Sequence, residues 1–272
     1  MKNSRTSHHG ESRMLQLSKN AINSLETISR SLHLSMHQMT LGIVSLVLQA
    51  DSSTKQDLIL GSPYLGRQNE DMSTIGLFLQ PLPIRVPRRS KTGGNLGDAD
   101  VTEFLLAVQD SARSALSHGI GWTSLMSLLS LSDDENLRSA TATPSPNHPL
   151  FDAMVTFHER RPTGKAPLLA NGAIAGIEPL ITWADGAKFS IMFEFTAVGS
   201  SVVTLRIEYD NSVFSADEVL TMAERIDAGL EYLYQCIILS KKTKDLEDKL
   251  LHIDSRNRVG SIEFGTHLLS LI

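Results

Sequence analysis

The chain has 272 residues, 41% of them hydrophobic, a formal net charge of −5 and a single cysteine, Cys236. The apolar share supports a sizeable globular core, and the acidic balance without a basic stripe excludes nucleic acid as the main partner, because such binding depends on clustered Lys and Arg. One cysteine excludes a disulfide framework and a cysteine-based metal site, no apolar run reaches the ~18 residues of a membrane span, and the opening MKNSRTSHHGESR lacks the apolar core of a signal peptide.

These properties give the expectation of a soluble, cytoplasmic α/β protein without a membrane partner. Residues 1–13 are polar and are expected to be a disordered terminus. Ser18 to Leu34 has Ile22, Leu25, Ile28 and Leu32 at helical spacing, with Ser18 as N-cap. Ser35 and Gln38 have capping-box spacing at the start of a second helix. Its body, Leu41 to Leu48, is apolar nearly all round and should be buried.

A short buried strand is expected at Asp57 to Leu60, followed by a Gly61-Ser62-Pro63 turn and Arg67 in a polar loop. Apolar character returns at Ile75 to Leu79 and ends in Pro81-Leu82-Pro83-Ile84-Arg85. Each proline removes a ladder donor, so Gln80 to Pro83 belongs at a sheet edge or in a crossing segment rather than at a sheet centre. Pro87 to Asp100, basic and then glycine-rich, matches no phosphate-binding fingerprint and reads as a surface loop.

Thr102 to Ser117 reads as a helix capped by Thr102, with Phe104, Leu105, Val108, Ala112, Ala115 and Leu116 on one face. It leads into His118-Gly-Ile-Gly-Trp122, where Trp122 should wedge the next helix start against the core and His118 reads as a structural histidine. Ser130 to Asn147 is a linker. In the strand after Pro149-Leu150-Phe151, Met154, Thr156 and His158 share one face and Val155 and Phe157 the other. Lys188 to Phe195 and Val203 to Tyr209 alternate as a hairpin with one buried face, and Arg206 and Glu208 lie opposite it. Ser215 and Glu218 form a capping box ahead of a stripe from Val219 to Ile237. Residues 240–272 read as a polar linker and tail, with a short helix near Leu246, Leu250 and Leu251.

Several of these segments resemble the condensation domains of fungal nonribosomal peptide synthetases. Gly61-Ser-Pro-Tyr-Leu-Gly66-Arg67 is similar to the family's GxPxxGR. Ile75-Gly76-Leu77-Phe78-Leu79-Gln80-Pro81 with Arg85 is similar to IGxFVNTxxxR, with Gln80-Pro81 in place of Asn-Thr. His118-Gly-Ile-Gly-Trp122 resembles a fungal His-Ala-Ile-Pro-Trp variant, and Asn147-His148-Pro149-Leu150-Phe151 resembles RDxSRNPLF.

The resemblance runs from about residue 14 to 239 and covers the C-terminal lobe only. It implies one lobe of a chloramphenicol-acetyltransferase-like, CoA-dependent acyltransferase fold: an α/β (α+β) sandwich with a mixed sheet flanked by helices. The family's HHxxxDG belongs to the other lobe. His8-His9 is followed by neither its Asp nor its Gly, so no catalytic residue and no metal ligand is assigned. The resemblance implies Gly76, Gln80 and His148 as tunnel- or substrate-facing, and Arg67, Phe78, Arg85, Trp122, Pro149 and Phe151 as interlobe or motif-structural residues.

It also implies amide-bond formation between carrier-bound thioesters, with phosphopantetheine carried by partner carrier domains and no cofactor bound by the chain. The expected partners are peptidyl or acyl carrier domains, an N-terminal condensation lobe and an adjacent adenylation domain. Apolar lobe-face surface is expected near Phe78, Leu79 and Phe151. Arg67, without its aspartate partner, is expected to be hydrated or to pair with Glu70, Asp71 or another chain. Three other readings stand beside this one: a carrier- or lobe-docking module, a CoA-dependent acyltransferase, and a truncated product.

Overall fold

The computed structural model describes residues 9–50, 57–65, 73, 79–86, 100–131, 150–160, 186–198 and 202–253. Among these, six strands form one mixed sheet: β1 (Gly10–Gln16), β2 (Leu58–Leu65), β3 (Leu79–Val86), β4 (Ala153–Arg160), β5 (Ile191–Val198) and β6 (Val202–Asp210), in the order β1-β6-β5-β4-β2-β3. β2, β4 and β5 run parallel, and the remaining neighbours are antiparallel. Helices α1 (Lys19–Leu32), α2 (Met36–Ala50), α3 (Val101–Ser117), α4 (Trp122–Ser130), α5 (Ala216–Ile238) and α6 (Thr243–Leu251) complete the described elements.

Period-two alternation decides which sheet face is dry. Ile191, Phe193, Phe195, Val203, Leu205, Ile207 and Tyr209 are buried in one cluster with Leu60, Ala153 and Val155. Apolar residues of α1, α2, α3, α5 and α6 join the same cluster. α2 is buried almost all round, as its composition requires. α5 approaches α2 and α6 at Gly229, where a Cβ would sit 2.8 Å from both Ile43 Cδ1 and Leu250 Cδ2.

The helix starts follow local hydrogen-bond chemistry. Ser18 Oγ accepts from Ala21 N at 3.1 Å, and the Ser18 N–H donates to Asp227 Oδ1 at 2.8 Å, which ties α1 to α5. Ser35 and Gln38 satisfy each other's backbone N–H groups, as do Ser215 and Glu218. For α3 the cap is Asp100, not Thr102: Asp100 Oδ1 accepts from Glu103 N at 2.7 Å. The expected face also shortens, because Leu116 is exposed.

Three boundaries are corrected. Gly10–Arg13, expected within the disordered terminus of residues 1–13, are strand. They pair with β6 from Gly10↔Asp210 to Arg13↔Ile207, because Leu15 and Leu17 are buried and draw the preceding residues into register. In the linker and tail of residues 240–272 the expected short helix is present as α6, but it belongs to the core rather than to a tail, with Leu246 and Leu250 fully buried and Asp100 bridging to Lys242. Gly61-Ser62-Pro63 is not a turn, since β2 continues to Leu65.

The prolines explain the borders of the sheet. Pro63 stands opposite Pro81 in the β2–β3 register. Neither can donate, so the pair is of the non-hydrogen-bonded kind and each nitrogen faces away from the other strand. Pro81 and Pro83 therefore turn donorless nitrogens to the outside of β3, the outermost described strand on that side, as expected for an edge. Pro63 turns its own toward β4.

Candidate functional site

Four of the motif segments are linked in pairs, Gly61 to Phe151 midway along β2, and Tyr64 to Gly119 and Gln80 to Trp122 at the carboxyl end of β2. Gly61 lies under the Phe151 ring: a Cβ there would stand 2.1 Å from Phe151 Cε2. Phe151 is buried and also contacts Phe189 with ring centroids 5.5 Å apart. At the carboxyl end of β2 the Tyr64 ring lies against Gly119, whose Cβ position would be 3.3 Å from it. Beside it, Gln80 on β3 accepts at Oε1 from the Trp122 backbone N–H at 2.5 Å. Gly121 gives α4 no side-chain cap, so Gln80 supplies one from a different strand.

The expected site residues separate as follows. Gln80 stands at this end. Arg85 does not: it lies five residues along β3, roughly 17 Å away. Its Nε donates to Asp57 Oδ2 at 2.6 Å on the exposed border, and its carbonyl accepts from Ser111 Oγ at 2.6 Å. Trp122 is half-buried, and no residue of α4 is buried, so the expected wedge into the core is corrected to a surface helix start. Phe151 is likewise no exposed lobe-face residue, because its ring fills the space that Gly61 leaves. His118 Nδ1 lies 2.8 Å from Ser114 O, consistent with a structural role at the end of α3. Arg67, with its possible partners Glu70 and Asp71, and Gly76, Phe78, His148 and Pro149 lie outside the described residues.

Sequence reasoning missed two polar groupings. His37, in the first turn of α2, places Nε2 2.7 Å from Ser62 Oγ, while its Nδ1 is buried without a partner. Burial, with the nearby His158 as the lesser cause, lowers the His37 pKa to about 4. On the sheet face opposite the apolar cluster, Arg206 donates to Glu194 at 3.2 Å and to Glu208 at 3.1 Å, and His158 Nε2 lies 3.4 Å from Glu194 Oε1. The hydrogen bond from His158 is the main cause that holds the Glu194 carboxyl below its ordinary value. The charges of His158 and Arg206 reinforce it, and burial opposes it. The alternation that put Arg206 and Glu208 opposite the core carried part of this signal; His37 left none.

His37 gives a pH dependence of stability. Its folded pKa lies below the unfolded value of 6.5, so the unfolded chain binds more protons between about pH 6.5 and 4, and stability falls as pH drops through that window. The expected loss attributable to His37 between pH 7 and pH 5 is about 2 kcal/mol. Urea unfolding at both values checks it, with His37→Gln flattening the difference by that amount.

The Condensation domain family matches residues 2–246. The chain belongs to the condensation-domain family. Among curated relatives it is 37% identical over 230 residues to the nonribosomal peptide synthetase ataP of Aspergillus terreus, covering 84% of this chain and 14% of that protein. It is also 37% identical over 217 residues to the synthetase echPS of Aspergillus ruber, covering 78% and 10%. This condensation-family chain thus spans a small part of the length of those synthetases.

Solved structures agree on the fold. The condensation domain of the Monacolin K polyketide synthase MokA superposes with a TM-score of 0.66 at 15% identity, over 89% of this chain and 52% of that one. The teicoplanin X-domain gives 0.66 at 18% identity, over 90% and 51%. The mixed sheet with its helices is therefore the chloramphenicol-acetyltransferase-like fold of condensation domains. No single helix among the described residues is long and apolar enough to cross a membrane.

Proposed function

We propose that the chain supplies the C-terminal lobe of a fungal condensation domain, in the service of amide-bond formation between carrier-bound aminoacyl or peptidyl thioesters in secondary metabolism. The observation that carries this reading is that four motif segments far apart in sequence contact one another along β2 and β3, as Gly61–Phe151, Tyr64–Gly119 and Gln80–Trp122. Phosphopantetheine enters on partner carrier domains as part of the substrate, not as a resident group of this chain. An N-terminal lobe and an adenylation domain are the further partners, and the cytoplasm is the proposed location.

The sequence holds no HHxxxDG, so the proton-handling histidine comes from the complementary lobe and the chain alone does not turn over. The test mixes two carriers loaded as aminoacyl thioesters with the full chain, with and without a separately produced N-terminal condensation lobe. Dipeptidyl-carrier is expected only in the mixture. Turnover by the chain alone overturns the proposal. A second reading is a docking module without catalysis. It predicts binding of the lobe or carrier with no product in either mixture. Thiol release from acyl-CoA without carriers points instead to the wider acyltransferase class.

A further inference from the structure

The two borders of the sheet are built differently. β3 turns the donorless nitrogens of Pro81 and Pro83 outward, whereas β1, the outermost described strand on the other side, contains no proline. A border strand with its backbone groups intact can accept a further strand.

The register shows which groups of β1 face out. The Leu17 N–H donates to the Val203 carbonyl at 2.9 Å, one step beyond Gln16↔Thr204. Leu17 therefore turns its backbone groups to β6, and so does every second residue back along the strand, Leu15, Arg13 and Glu11. The other side of β6 agrees: the Asp210 N–H donates to Ser190 O at 3.0 Å, so alternate residues from Asp210 face β5 and the rest face β1. Gly10, Ser12, Met14 and Gln16 thus present their N–H and C=O groups to the outside, and none of the four is buried.

We propose that this border is the contact of a homodimer, in which β1 pairs antiparallel with β1 of a second copy about a two-fold axis at Ser12. Ser12 then bonds Ser12 of the copy, and Gly10 bonds Met14 of the copy on either side of the axis. Between these hydrogen-bonded pairs Glu11 stands directly opposite Arg13 of the copy, twice, at the closer side-chain spacing. Charge selects this register. An axis at Arg13 sets Arg13 against itself and Glu11 against Leu15, and an axis at Glu11 sets Glu11 against itself. Both side chains are more than one-third exposed. Glu11 receives Arg13 and the Tyr209 hydroxyl on Oε2, which leaves Oε1 to the copy. Arg13 already reaches the border, where its Nη1 lies 3.3 Å from the Ser12 carbonyl; the N–H of the copy takes over that long bond. Pairing through β1 leaves the proline-marked borders outermost, so the assembly closes at two copies. The inference stands apart from the condensation reading, and the two-lobe assay does not bear on it.

The test is sedimentation velocity of the full chain over roughly 5–500 μM, where a short strand pair with two ion pairs should give a dimer with a dissociation constant of roughly 10–300 μM. Glu11→Arg and Arg13→Glu, each alone, should weaken association by about 10-fold or more. Mixed in equal amounts they should form a heterodimer about as tight as the native dimer, because each substituted side chain then faces one of opposite charge. A role of the Glu11–Arg13 pair within one chain predicts no such rescue. Met14→Pro is the second arm. It removes an outward donor and no bond to β6, so Tm should stay within about 3 °C while the dimer is lost. A monomeric native chain over the whole range overturns the proposal, as do assemblies larger than two. Single variants that associate like the native chain overturn it too, as do variants that stay apart when mixed. So does a Met14→Pro chain that still dimerises or fails to fold, since unfolding would place the Met14 N–H on the β6 side.

Discussion

Arg206→Met is expected to destabilise the fold by about 3–5 kcal/mol at pH 7. The guanidinium is 12% exposed and lies between two carboxylates on neighbouring strands, Glu194 and Glu208. Glu208 is still more buried, and its other oxygen accepts from the Lys188 backbone N–H at 3.2 Å. Methionine fills similar volume but leaves both acids without their shared cation in a medium that solvates them poorly. The loss should shrink below about pH 5, as the stranded carboxyls take up protons above their ordinary range. In the native protein the sign for Glu194 is the reverse. Its lowered pKa contributes stability that is present above 4.5 and is lost as pH falls through the folded value. Urea unfolding of both proteins at pH 7, pH 5 and about pH 3 measures both effects, and a loss under about 1 kcal/mol at pH 7 would mean that the network is worth no more than an exposed pair.

Gly61→Ala is expected to cost about 2–3 kcal/mol, as overpacking does in a filled site. The new methyl would stand 2.1–2.6 Å from three atoms of the Phe151 ring, and that ring has little room to retreat because it is itself buried. Phe151→Ala alone should cost about 3–5 kcal/mol by opening a cavity. In the double variant the methyl enters the space vacated by the ring, so the two losses should fall short of their sum by at least 1 kcal/mol. Additive losses would show that the glycine serves the backbone rather than the ring.

Most of the framework was legible because it rests on periodicity and capping. The β5–β6 hairpin, the buried α2, the stripe of α5 and the caps at Ser18, Ser35 and Ser215 each follow from spacings of two to four residues. The proline-marked border of β3 was legible for the same reason. What escaped was decided by contacts distant in sequence. Gly10–Arg13 look too polar for a strand until β6 offers a partner about 200 residues away. Trp122 looked like an anchor, yet α4 buries nothing, and its start is held through Gln80 from a different strand. At the site, the motif resemblance singled out Gln80 as tunnel- or substrate-facing, and the structure shows its Oε1 accepting from the backbone at the start of α4. It gave no hint of His37, which sits in a helix of ordinary pattern and acquires its chemistry only where α2 meets Ser62.

The two prolines on the outer border of β3 have a consequence for the life of the chain in a crowded cell. An exposed row of backbone rungs is a template on which copies stack into fibrils. Here that row lacks two adjacent rungs on the same side, at Pro81 and Pro83, so an incoming strand finds no purchase across the middle of the border. A sheet bordered this way does not seed the polymerisation of its own kind along that flank.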